Sequence, residues 1–264
     1  MDLLKILNLS GPEMFLLIFV RMTGFFVIAP LFGRRNVPYY IKIGFSLSMA
    51  LIIYYSAGDF NIEYGDMLYN YVLKVMFEFL TGLTLGFVSY AMFTSIYVAG
   101  QLIDMQIGFG AVNVIDPLSS IQISLTSNFY FILSMVAFFS FKGHHMLIKA
   151  LFDSYKYIPA GGGSLGYGDN IASNGIEIIG NIFIMGFKIA APITAAILIA
   201  DIVLGVISRT VPQFNVFVVG MPLKIALGLI VAVITIPMLM ELIKTLFYDM
   251  DKEMLNLMKG MAGR

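Results

Sequence analysis

From Met67 to Ala99 the chain reads as one uninterrupted helix, mostly apolar, with Lys74, Glu78 and a Gly82-x-x-x-Gly86 pair inside it. At 1.5 Å per residue such a helix is roughly 50 Å long, well beyond a bilayer core of about 30 Å. A plain bundle of matched membrane spans has no place for an element of that length. The rest of the chain must either break its helices or carry them beyond the hydrocarbon.

Composition sets the solvent. The chain has 264 residues, 59% hydrophobic and 12% charged. A soluble domain is about half apolar and a quarter charged, so this chain belongs in a membrane or a very apolar assembly. Its formal net charge is zero, which argues against a nucleic-acid partner. The absence of Cys excludes disulfides, thiolate nucleophiles and thiolate metal sites. Trp is absent too, so an interfacial aromatic belt falls to the 14 Tyr. The first apolar segment lacks a basic leader and a small-residue cleavage site, and is expected to be kept.

The expected class is an all-α membrane protein with long, broken helices. Glu13 to Phe32 is an apolar run interrupted by Arg21 and closed by Pro30 and Gly33. Pro38 to Ala57 follows, making a first hairpin over 12–57. After the polar connector Gly58–Asp66, a second hairpin covers 67–157, with Ser119 to Tyr157 broken near Gly143. Ala160–Asn174 is glycine-rich and reads as a loop. Helices over 175–208 and 216–247 follow, with Pro192, Pro222 and Pro237 inside them, and then a charged amphipathic tail over 249–264.

The second hairpin encloses the stretch Gly100 to Pro117, a central loop over 100–118. Three glycines and a proline interrupt apolar residues there, among Asp104, Asp116, Gln101, Gln106 and Asn113. Gly accepts unusual backbone angles and Asp-Pro favours a turn. Irregular backbone among membrane helices is tolerated only where protein or a water-lined cavity surrounds it. The stretch therefore reads as a loop buried in protein or lining a channel; the alternative is an apolar surface connector.

Arg21, Lys42, Lys74, Glu78, Lys188, Asp201, Lys224 and Glu241 all lie inside apolar segments. Ionisable groups at membrane depth face protein or water by default. Lys74 and Glu78, at i and i+4, are spaced to neutralise each other. Lys188 and Asp201 have no partner at helical spacing, so pairing between helices or with another subunit is expected. With six alternating spans, the side holding both termini carries Lys5, Lys142, Lys149, Lys156, Lys244, Lys252, Lys259 and Arg264. The other side carries Arg34, Arg35 and Arg209, an imbalance that would place both termini in the cytoplasm.

Catalytic patterns are missing. His144 and His145 are adjacent, about 100° apart on a helix, and poorly placed to share a metal. Gly161-x-Gly163-x-x-Gly166 has the dinucleotide spacing but follows a helix, and Tyr167-Gly168-Asp169 breaks the helix it would need. Asp104 and Asp116 lack a neighbouring nucleophile. Neither an enzyme nor a metal or cofactor is expected.

Several blocks taken together resemble a known family. They are Arg21…Pro30-Leu31-Phe32-Gly33…Val37-Pro38, then Gly100-Gln101-Leu102-Ile103-Asp104-Met105-Gln106-Ile107-Gly108-Phe109…Asp116-Pro117, then Gly143-His144-His145 and Ser154…Ile158-Pro159. Ala191-Pro192…Asp201…Gly205…Ser208-Arg209-Thr210-Val211-Pro212-Gln213-Phe214-Asn215-Val216-Phe217…Gly220-Met221-Pro222-Leu223-Lys224 completes the pattern. In this order they are similar to the FliR family of flagellar export-gate proteins, called SctT in injectisomes. Gly110 stands where many members carry Ser, and Lys142 where Asn is common.

The resemblance implies a subunit packed with FliP and FliQ in a helical export gate, with FlhB at the cytoplasmic entrance. It implies a bacterial inner-membrane location in the flagellar basal body, and unfolded flagellar proteins as cargo. It further implies a closed-channel plug formed by Gly108, Phe109, Gly110, Ala111, Val112, Asn113, Val114, Ile115, Asp116 and Pro117. Arg21, Lys42, Lys74, Glu78, Lys188, Asp201, Arg209 and Lys224 would then be charges at subunit contacts. The runner-up is a secondary transporter with half-helices at Pro192 and Pro222 and Asp201 as ion ligand.

Overall fold

The computed structural model describes residues 10–30, 32–33, 37–56, 68–109, 124–162, 168–211 and 216–262. Among them are eight helices and no strand. They are α1 (Ser10–Ile28), α2 (Tyr39–Ser56), α3 (Leu68–Ile107), α4 (Leu125–Ser140), α5 (Gly143–Tyr157), α6 (Gly168–Thr210), α7 (Val216–Ile234) and α8 (Ile236–Met261). The protein is an all-α membrane protein. Tyr69–Ile107 and Ser173–Thr210 are each long and apolar enough to cross a bilayer, and two bent pairs, α4 with α5 and α7 with α8, qualify if each counts as one span.

Local chemistry sets the helix ends. Pro30 cannot donate a backbone hydrogen bond, and α1 closes with the amides of Phe32 and Gly33 both on the Ala29 carbonyl. α2 starts directly after Pro38. α3 stops at Gly108, whose φ of 103° suits glycine and whose N–H donates to the Asp104 carbonyl at 3.1 Å. Lys142, at φ 57°, makes the turn between α4 and α5.

Four spans differ from the sequence reading. Residues 100–107 of the central stretch are the last turns of α3, because Gly100 and Asp104 are used for packing and capping within a helix. α6 begins at Gly168, inside the stretch read as loop, and runs without a break through Pro192. α7 likewise continues through Pro222, and the break falls at Thr235, where α7 and α8 meet at 60°. The Thr235 hydroxyl donates back to the carbonyls of Val231 and Ala232, and Pro237 follows, which together open the helical ladder. The tail is no separate element: α8 runs on to Met261.

The described residues divide into two compact units. The first takes residues from 10–91, 144–178 and 249–262. In it α1 lies on α3 with backbones in contact. A Cβ on Gly82 would stand 2.1 Å from the Arg21 carbonyl oxygen, and one on Gly86 2.8 Å from that of Phe25. This is the close approach that Gly-x-x-x-Gly permits in apolar helices. Met250, Met254, Leu257 and Met258 of α8 are buried in the same unit.

The second unit takes residues from 92–143 and 179–248. Its core includes an aromatic cluster in which Phe93, Phe138 and Phe247 sit with ring centroids 5.2–5.7 Å apart. Ile193, Ile197, Ile243 and Leu246 are fully buried there.

Candidate functional site

In the second unit, α3 and the start of α4 converge on Asp104. Gly100 makes the convergence possible: a Cβ there would lie 2.3 Å from Ser127 Cα and 2.4 Å from its nitrogen. Ser127 donates its hydroxyl to the Tyr97 carbonyl at 2.8 Å. One turn further along α3, the Asp104 carboxylate is only 6% exposed. It accepts from the Ser124 hydroxyl at 2.6 Å and from the Thr126 amide at 3.2 Å. A carboxylate against the first amides of α4 satisfies donors that no helical carbonyl reaches, and it opposes the positive end of the helix dipole. Ser124 is the N-cap and accepts from the Ser127 amide at 3.3 Å.

Asp104 thereby holds both flanks of the segment that follows α3. Its backbone carbonyl takes the N–H of Gly108 and its side chain takes Ser124 and Thr126. Gly108 and Phe109 are half-buried; Gly110 to Pro117 lie outside the described residues.

Beside Gly108 is a cavity of about 300 Å³, lined by Ile107, Gly108, Asp201, Leu204, Gly205, Gly220, Met221 and Lys224. Three of these residues have no side chain, which is why the space is open. Asp201 of α6 and Lys224 of α7 form an ion pair in its wall. Pairing between helices, expected for Asp201, is thus met inside one chain.

A second polar centre lies in the first unit. Arg21 is fully buried and Glu78 is 2% exposed. The guanidinium meets the carboxylate with two prongs, Nε–Oε2 at 2.5 Å and Nη2–Oε1 at 3.0 Å. Its remaining donors reach the Ser154 hydroxyl and the Ile158 carbonyl, both at 3.0 Å, and its plane lies 4.0 Å from the Tyr155 ring centre. Gly161, at φ 73°, turns its N–H onto Glu78 Oε1 at 2.8 Å. A buried ion pair holds only when its other polar atoms are also satisfied, and here every nitrogen and oxygen of the pair has a partner. The sequence reading set Glu78 beside Lys74 and put Arg21 and Glu78 at a subunit boundary. The structure pairs Glu78 with Arg21 within the chain, because α1 crosses α3 at that level.

Lys42 and Lys74 are half-buried on α2 and α3, Lys188 is exposed on α6, and Arg209 is exposed in its last turn. Sequence reasoning missed Ser124, Thr126, Ser154 and Gly161 as partners. For Gly161 a signal existed, since it opens the glycine pattern dismissed as a nucleotide motif. For Ser124 the signal was a helix cap just before an apolar run.

Comparison with known proteins bears on most of the chain. The family model for bacterial export proteins, family 1, matches residues 13–250. The flagellar biosynthetic protein FliR of Bacillus subtilis (strain 168) is 36% identical over 246 residues, covering 92% of this chain and 94% of that protein. That of Aquifex aeolicus (strain VF5) is 28% identical over 90% of each chain. The FliR of Escherichia coli (strain K12) is 27% identical over 87% of each.

Proposed function

The chain belongs to the FliR family of bacterial export proteins, and from that premise we propose that it is the FliR subunit of a flagellar type III export gate. In this reading it packs with FliP and FliQ in the bacterial inner membrane at the flagellar basal body. FlhB stands at the cytoplasmic entrance, and unfolded flagellar proteins pass through the pore. Residues Gly108 to Pro117 close the channel between substrates. The two helical hairpins, 12–57 and 67–157, and the charges Lys42, Lys74, Lys188 and Arg209 supply contacts to neighbouring subunits.

The observation that carries the reading is the double tie at Asp104. A stopper must yield to a passing chain and return to one place. Holding both flanks of the segment on a single buried residue meets the second demand. The transporter alternative needed half-helices at Pro192 and Pro222, and both helices are continuous there. It also needed Asp201 free for an ion, and Lys224 occupies it.

The test is deletion of residues 108–117 in cells that make the full export apparatus. The complex should assemble at its normal yield and the membrane should leak ions. Conductance at the background level would remove the plug from the account.

A further inference from the structure

Between Glu177 and Asp201 the only ionisable side chain of α6 is Lys188, close to the midpoint of the interval. About 20 apolar residues suffice to cross a bilayer core, and this interval lies in the more apolar of the two long candidate spans. Lys188 is exposed, and among the described residues no carboxylate lies within ion-pair distance of it. Asp201, on the same helix, has Lys224. Pro192 has no N–H, so the Lys188 carbonyl also lacks its usual donor one turn on.

The packing of α6 shows which way this side chain points. Gly186 sits against α3, where a Cβ would come within 3.1 Å of the Ser95 carbonyl oxygen and of Val98. Lys188, two residues on, lies roughly 200° round the helix, away from that contact. Its surroundings are apolar and open: Ile184 is 52% exposed, Ile199 63%, and nothing stands within 4 Å of a Cβ on Gly180.

Lipid is a poor cover for such a face, because a cation near mid-bilayer is costly and normally finds protein or water. A second copy docked through the same stretch of α6 would offer Lys188 no carboxylate, since none lies between Glu177 and Asp201. We propose that the Lys188 face of α6 is the docking surface for an apolar helix of an unlike chain, which places a carboxylate level with Lys188. A lone charge in an apolar contact fixes register, since only one sliding position pairs it. This inference rests on the reading of the protein as one subunit of a multi-chain membrane assembly.

The chain has no cysteine, so Lys188→Cys is a single reporter. In membranes containing the whole export apparatus, position 188 should be protected from both lipid-soluble and aqueous maleimides. In the chain made alone it should react. Lys188→Glu should reduce copurification of the other chains about tenfold or more, Lys188→Arg should keep it, and exchanging the partner's acid for lysine should restore the glutamate variant. Labelling of position 188 by the lipid-soluble probe inside the assembly would overturn the proposal. So would undiminished copurification of Lys188→Leu, or a disulfide between two copies of Lys188→Cys. Because Lys188 is exposed in the chain by itself, loss of copurification at an unchanged melting temperature supports the contact, and a variant that unfolds the isolated chain overturns it. If the native chain copurifies with no other chain, the functional reading itself has failed.

Discussion

Asp104 and Ser124 are joined by a 2.6 Å hydrogen bond, with Asp104 in the last turns of α3 and Ser124 capping α4. The same carboxylate accepts the Thr126 amide, so its loss leaves buried donors without an acceptor. Asp104→Ala should cost about 1–3 kcal/mol, read as a lower melting temperature of the purified chain. Asp104→Asn keeps one acceptor and should cost less. Equal effects from the two variants would show that the carboxylate's hydrogen bonds are not what matters.

Arg21 is the most consequential single side chain in the first unit. Glu78→Ala would strand a buried guanidinium, a change that typically destabilises by about 3–5 kcal/mol, a large share of a protein's total stability. Arg21→Lys should also fail, because an ammonium cannot span Glu78, Ser154 and the Ile158 carbonyl at once. Arg21→Ala should lower the yield of assembled complex more than it alters gating. A normal complex yield for Arg21→Ala would contradict the role of the network.

These two centres mark how far the sequence could be read. Helix positions are legible from apolar runs and from Pro30 and Pro38, whereas residues 100–107 of α3 are not, because Gly100 reads as a breaker. Arg21 and Glu78 were legible as costly charges, but not as partners. Their 57 positions of separation are closed only by the crossing at Gly82 and Gly86, and nothing local to Glu78 distinguishes Arg21 from the nearer Lys74. Helices are expected to run through Pro192 and Pro222, and they do; the break at Thr235 is what the prolines alone do not mark. A missing N–H bends or breaks a helix only when nothing else holds it, and α6 and α7 run through theirs, whereas Thr235 adds a competing hydroxyl just before Pro237.

Lys142 occupies left-handed backbone at φ 57°. A side chain with a Cβ is strained there, and Asn and Gly are the residues that tolerate it. Lys142→Gly or Lys142→Asn should stabilise the chain by about 1 kcal/mol, visible as a rise in melting temperature. No rise, or a fall, would show that the lysine side chain has a compensating contact.

Gly100 and Gly205 make a matched pair. Gly100→Ala would push a methyl into the Ser127 backbone and should cost about 1–3 kcal/mol. Gly205 has nothing within 4 Å of a Cβ, so Gly205→Ala should stabilise the isolated chain by up to about 1 kcal/mol through helix propensity alone. Melting the two variants side by side checks the convergence of α3 and α4. A tolerated Gly100→Ala would contradict it.

Native mass spectrometry of the complex, gently extracted from membranes that contain the full export apparatus, tests most directly whether this chain is built to pack with unlike chains. One copy of this chain bound to several different small membrane proteins is the predicted result. A monomer, or an oligomer of this chain alone, would contradict it.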